Sequence, residues 1–261
     1  MNFRNYKELS NFSLQYTHLL IPFFLSILAI LLRYPAIERD SLWLDEAWRL
    51  QLFSAPLNTL DLRIFISQVL SFEGVIRLIV NLYGANDWSL RAVSLISGTL
   101  AIPTLYFLGY KITGKIVIPL AASFLLAINP WHIAYSSEMA PYALGSFLFP
   151  LFLIMLIKLH EKNDHSSLVI SILIGTALSV MHIYFFVLTL ICIFLLIVIN
   201  WDRASVKNKI ILLFIILFLL NIFQIISYFS WVETDHVSMR YNINWTVGFP
   251  LKVLNAIISG P

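Results

Sequence analysis

One cysteine, nine glycines and a charged fraction of 12% leave this sequence short of the groups from which many active sites are built. The single Cys192 lies inside an apolar run, so it can form no internal disulfide and says nothing about redox compartment. The glycines are dispersed, and none of their spacings makes a phosphate-cradling loop, so use of ATP or a nucleotide sugar has no support. Zinc-ligand spacing, a nucleophile elbow and a Ser-His-Asp order are also missing. The formal net charge of +3 is spread over short connections, with no basic stripe interleaved with aromatics, which argues against a nucleic-acid partner. Segments of about ten residues with strict alternation are lacking, and that excludes a β-barrel reading. What remains is apolar: 59% hydrophobic residues, a mean hydropathy of +0.84 and recurrent long hydrophobic runs. The fold class expected is therefore an all-α polytopic membrane protein.

The first span is expected from about Tyr16 to Leu32, an uncleaved signal anchor preceded by Arg4 and Lys7. Residues 33–88 then form a long mixed loop, in which Leu60 to Leu82 reads as interfacial amphipathic helix because Arg63, Gln68, Glu73 and Arg77 interrupt its apolar residues. Spans are expected at Leu90–Ile112, Ile116–Ile128, Tyr142–Leu159 and Ile210–Phe229. The run Leu168–Ile199 exceeds the roughly 20 residues one span needs, so it divides into two helices meeting near Met181 to Phe185. The count becomes seven. Lys111, Lys115, Lys158, Lys162, Arg203, Lys207 and Lys209 fall with the basic N-terminus on one side, which the positive-inside rule makes cytoplasmic. The chain reads as a single membrane domain over 1–261, with an external loop at 33–88 and an external, abbreviated tail at 231–261.

On that topology ten of the fourteen carboxylates face outward, including the adjacent pair Asp45 and Glu46 in SLWLDEAW. Charge at a membrane boundary must be solvated or paired, so an acidic pair directly after the first span marks a candidate site. Asp45 could serve as a general base, since partial desolvation raises its proton affinity, with Glu46 or Glu138 orienting an acceptor or binding a metal. The plainer role for Glu138 is to complement the helix start that Pro141 favours. Phosphate recognition needs a cation, and the external candidates are Arg33, Arg39, Arg49, Arg63, Arg77, Arg91 and Arg240. Arg91 at the start of a span could simply snorkel. Arg49 stands four residues after Asp45 and could pair with it on one helical face. His132 and His182 lie at external ends of apolar segments, where a structural role is the plainer one. Trp43, Trp48, Trp88, Trp131, Tyr135 and Trp231 read first as an aromatic belt and second as a sugar platform.

Three stretches, SLWLDEAW (41–48), GANDWSLRAVSLISGTLAIPTLYFLGYKITGK (84–115) and INPWHIAYSSEMAPYAL (128–144), occur in an order that resembles the polyprenyl-phosphate-dependent glycosyltransferases of the C-type membrane fold. The similarity is to the branch of protein O-mannosyltransferases and lipid A aminoarabinose transferases, over about residues 15–200. It implies a sugar donor carried on a polyprenyl phosphate, an external active site and a catalytic aspartate at Asp45, with Glu46 and Glu138 beside it. Arg91, Arg49, Tyr142 and His182 become the implied substrate-binding residues, and the His182–Tyr184 pair matches a His-aromatic turn of the family. Where the family commonly has Ser-Gln-Glu-Ala-Arg in the second external loop, this chain has Ser-Ser-Glu-Met-Ala, so the arginine position holds Ala140.

The function expected is an inverting membrane glycosyltransferase acting on a lipid, glycan or protein acceptor at the external face of the plasma (inner) membrane, N-terminus cytoplasmic. No cofactor follows from the sequence beyond a candidate divalent metal ion. The competing class is a non-catalytic membrane partner of a glycan or envelope assembly pathway, motivated by Ala140. A transporter would place ionisable groups near span centres, and these spans are nearly free of them.

Overall fold

A computed structural model describes residues 20–37, Glu46, Leu50 and 72–233, with side chains as far as Ile222, and among these residues every regular element is helical. Helix α1 covers Leu20–Ala36, its last turn tightening to a 3-10 turn over Tyr34–Ala36, where Pro35 supplies no backbone donor. Helix α2 (Phe72–Tyr83) is too short to cross a membrane. It buries Phe72 and Ile76 and exposes Leu78, Leu82 and Tyr83, in keeping with the interfacial helix expected over part of this stretch. The rest of that stretch, and the tail beyond Glu233, lie outside the described residues.

Helix α3 (Asp87–Thr113) starts on a reciprocal cap: Asn86 Oδ1 accepts from the Ser89 N–H, while Ser89 Oγ accepts from the Asn86 N–H. It ends on Gly114, whose φ of 63° lies in the left-handed region that glycine adopts without strain. Helices α4 (Val117–Ile128) and α5 (Pro130–Ser136) meet at a 62° bend. Asn129 accepts from the His132 N–H and Pro130 occupies the first turn of α5, so the bend is also a helix start. The loop expected from Asn129 to Ala140 thus contains a helix, and within it Asn129 and residues 137–140 are non-helical. Helix α6 (Tyr142–Lys162) is followed by α7 (His165–Met181), capped by Asp164, and α8 (Ile183–Ile199). The break between α7 and α8 falls on His182, in extended conformation, within the interval expected from the length of the run. Helix α9 runs Ala204–Glu233.

Residues 1–220 form one compact unit and residues 221–261 a second, of which only the continuation of α9 to Glu233 is described. Within the first unit α3 is central, packing against α6 most extensively and also against α2, α4 and α5, while α7 packs on α6 and on α8. Close approach depends on small residues: a Cβ on Gly98 would collide with Ser136 of α5, and one on Gly145 with the Phe185 ring of α8. The main core gathers Phe152, Leu156, Leu178, Ile193, Ile210 and Leu213, and a smaller one joins Leu25 and Ala29 of α1 to Ile102 of α3 and Ala127 of α4. Val187, Ile191, Phe194, Leu195 and Val198 of α8 are exposed, an outward apolar face that suits lipid.

Among the described residues three helices, α3, α6 and Ala204–Ile222 of α9, are long and apolar enough to cross a membrane, and α4 with α5 adds a fourth if the bent pair is one span. Leu20–Ala36, α7 and α8 are shorter apolar helices. The basic connections meet at one end: Lys111 pairs with Glu161 at 2.7 Å, Asn163 Nδ2 donates to Ser205 Oγ at 2.8 Å, and Lys207 lies over the Trp201 ring.

Candidate functional site

Arg91 occupies the second turn of α3 and is fully buried, so its charge must be matched inside the protein. Its Nε donates to Glu46 Oε1 at 3.0 Å and its Nη2 to Glu46 Oε2 at 2.9 Å, a two-pronged pairing that suits a planar guanidinium and a carboxylate. Nη1 donates to the Ile37 carbonyl at 2.6 Å and lies 3.7 Å from Asp87 Oδ1, one helical turn earlier. Glu46 Oε1 takes a further hydrogen bond, 2.8 Å, from the Met139 N–H. Glu138, partly buried beside Met139, also interacts electrostatically with Arg91. Ser94, on the same helix, donates to the Ala140 carbonyl at 3.2 Å. One ion pair therefore ties together Glu46 in the segment after α1, the start of α3 and the loop between α5 and α6.

This arrangement corrects the reading of Arg91 as a snorkelling side chain: it points inward, to a partner 45 positions earlier in the chain. Glu46, proposed from sequence to orient an acceptor or ligate a metal, has both oxygens engaged by Arg91 and a backbone amide. A metal on it would sit against a guanidinium, so the bonds Glu46 makes fit a metal poorly. Among the described residues no three His, Cys, Asp or Glu side chains cluster as metal ligands. Ala140 is buried, with its carbonyl accepting from Ser94, and its alanine side chain supplies no cation to the loop.

A second buried guanidinium organises the same loop from its other side. Arg33, at the end of α1, donates to the carbonyls of Ala29, Ala127 and Leu126, to Ser136 Oγ and to His132 Nδ1 at 2.7 Å. Because arginine only donates, His132 Nδ1 must accept, and its Nε2–H then donates to Ser146 Oγ at 3.0 Å. His132 is thus held as the neutral imidazole protonated on Nε2. Leu126 and Ala127 belong to the last turn of α4, where carbonyls lack helical partners and the helix dipole is negative. Arg33 therefore caps the bend that leads into α5.

Exposed rings run along this end of the helices. Trp131 stacks on Tyr135, Tyr135 meets Tyr142 edge-on at 5.1 Å, Tyr142 lies 5.9 Å from His182, and His182 stacks on Tyr184 at 4.8 Å. His182 Nδ1 accepts from the Tyr184 N–H, capping α8. Of the sequence-derived site residues, Glu46, Arg91 and Glu138 come together, and Tyr142 and His182 form a separate ring cluster. Asp45 and Arg49 lie outside the described residues. Asp87 was not singled out from sequence, although its four-residue spacing from Arg91 on a helix could have found it.

The family model described as dolichyl-phosphate-mannose-protein mannosyltransferase matches residues 71–229, more than half of the chain. The chain belongs to this family. No curated protein and no solved structure matches it. Membership makes it a membrane-embedded, multi-pass glycosyltransferase of the C-type group, whose members in general take a sugar from a polyprenyl phosphate. The matched stretch contains Arg91, Glu138, Tyr142 and His182, and it begins after Asp45 and Glu46.

Proposed function

We propose that this family member transfers a hexosyl group, with a mannosyl group the first to be tried, from a polyprenyl phosphate to a lipid, glycan or protein acceptor at the external face of the plasma membrane. The observation that carries the reading is the Glu46–Arg91 pair with the Met139 amide on it, because it joins the two external loops that bear Asp45 and Glu138. In the proposed topology seven apolar helices cross the membrane, the basic ends of α3, α6 and α8 are cytoplasmic, and the Arg91 junction lies at the external boundary.

Asp45 takes the proton of the acceptor hydroxyl as its oxygen attacks the anomeric carbon. The bond from that carbon to the phosphate oxygen breaks, its electron pair leaves with the polyprenyl phosphate, and attack opposite the leaving group inverts the anomeric centre. Glu46, one peptide bond from Asp45, acts as a positioning residue: held on two oxygens, it fixes the loop that carries the base. Glu138 faces Arg91 and sets the second loop, while Tyr142 and His182 offer ring faces to a substrate. Arg33 and Arg91 donate to protein acceptors, so the cation for the leaving phosphate is sought at Arg39, Arg49 or Arg63.

The test is donor consumption by the full-length protein in liposomes, supplied with synthetic polyprenyl phosphates bearing mannose, glucose or 4-aminoarabinose. Release of polyprenyl phosphate with at least one donor is expected. Failure with every donor and acceptor would favour a non-catalytic partner, the reading that the alanine at position 140 motivates.

A further inference from the structure

Beside the Arg91 junction is a cavity of about 450 Å³ lined, among the described residues, by Tyr34 and Ile37 at the end of α1 and by Asn86, Asp87 and Trp88 at the start of α3. That volume lies in the lower part of the range for small-molecule sites. It is too small for a folded partner or a long prenyl chain. Its chemistry is selective. Tyr34 and Trp88 are about half exposed and supply ring faces, and Asp87 is the one charged residue among the described residues of the lining. The Asp87 carboxylate is steadied by Arg91 at 3.7 Å yet keeps about half of its surface exposed. Asn86 is committed to the cap of α3, with Oδ1 on the Ser89 N–H and Nδ2 on the Tyr83 carbonyl, and so holds the shape of the rim. Trp88 is braced edge-on by Tyr83 at 6.5 Å between centroids.

A phosphate group would meet a carboxylate here, with the nearby guanidinium of Arg91 already buried and engaged. A prenyl chain would cover the exposed half of that carboxylate and offer it no hydrogen bond. A sugar ring suits both features: its C–H face lies on an aromatic ring and its hydroxyls donate to a carboxylate. We propose that this cavity holds the pyranosyl ring of the donor, with Asp87 accepting its hydroxyls and Trp88 covering its face. The assignment rests on the glycosyltransferase reading above and names a binding residue, Asp87, and a stacking residue, Trp88, for it.

Methyl α-mannopyranoside is the probe, titrated into the purified full-length protein while tryptophan fluorescence is followed. A saturable change is expected in the native protein, absent in Trp88→Phe and retained in Trp131→Phe, which alters a ring on another helix. Asp87→Asn, which keeps size and helix start, should weaken glycoside binding by tenfold or more. It should raise the donor KM to a similar degree while kcat and the melting temperature change little. Unchanged affinity in both Asp87→Asn and Trp88→Phe, or displacement of the glycoside by farnesyl phosphate, would overturn the assignment. The two readings fail separately. Glycoside binding at Trp88 without donor consumption would leave the cavity standing and remove the transferase reading. Donor consumption with an unaltered donor KM in both variants would do the reverse.

Discussion

The two buried arginines at this end of the helices neutralise their charge in different ways. Arg91 meets a carboxylate, Glu46, in a matched pair, whereas Arg33, among the described residues, meets neutral acceptors: three backbone carbonyls, a hydroxyl and an imidazole nitrogen. The first arrangement concentrates its energy in one partner that can be removed by mutation. The second spreads it over a helix end, which no single substitution can replace. Both converge on residues 126–140, so the loop carrying Glu138 is clamped at one side by a charge pair and at the other by a capped helix bend. The difference teaches that the Arg91 clamp reports on the position of the Asp45 loop, while the Arg33 clamp reports on the α4–α5 bend.

Removing Arg91 should have the largest effect. Arg91→Met takes from the buried Glu46 the guanidinium that engages both of its oxygens, and one-sided loss of such a pair costs about 3–5 kcal/mol. The melting temperature in detergent should fall steeply, and Arg91→Lys should rescue little because an ammonium cannot make both bonds. The double variant Glu46→Leu with Arg91→Met sharpens the comparison: it should regain more than half of the lost stability yet stay inactive, because the loop is no longer fixed. If activity returned with stability, the pair would be structural only.

Arg33→Met should cost less, about 1–3 kcal/mol, as helix-end carbonyls lose their donors. No second substitution at a single acceptor should restore it, and a rescue by His132→Leu would break the comparison. The same variant removes the donor that keeps His132 Nδ1 an acceptor, so the imidazole should no longer be confined to the Nε2-protonated tautomer, which nitrogen NMR shifts report. Gly98→Ala drives a methyl into Ser136 and should cost about 1–3 kcal/mol by the same thermal assay. At the far end, Lys111→Met should change stability by less than about 1 kcal/mol, since its pair with Glu161 is solvent-exposed.

Much of the helical order was legible because its signals are local. Apolar run length located the helices, and the excess length of Leu168–Ile199 implied the break that falls on His182. The start of α5 was also written locally, in an asparagine followed by a proline at 129–130, but the short apolar stretch before it drew attention to the span alone. The ion pair was not legible: Glu46 and Arg91 are far apart in sequence, and nothing local distinguishes an inward arginine at a helix start from one that reaches for the interface. The same holds for Arg33, whose five acceptors exist only once α4 has ended beside α1. The charge anomaly at Asp45–Glu46 drew attention to Glu46, and packing commits that carboxylate to Arg91.

The proposal that the Glu46–Arg91 pair fixes a loop whose base is Asp45 meets its most direct test in Asp45→Asn. Single-turnover release of polyprenyl phosphate from a donor that the native protein consumes should fall by about a hundredfold or more, the scale of a lost general base, with the melting temperature unchanged. Release at the native rate by Asp45→Asn would contradict the account.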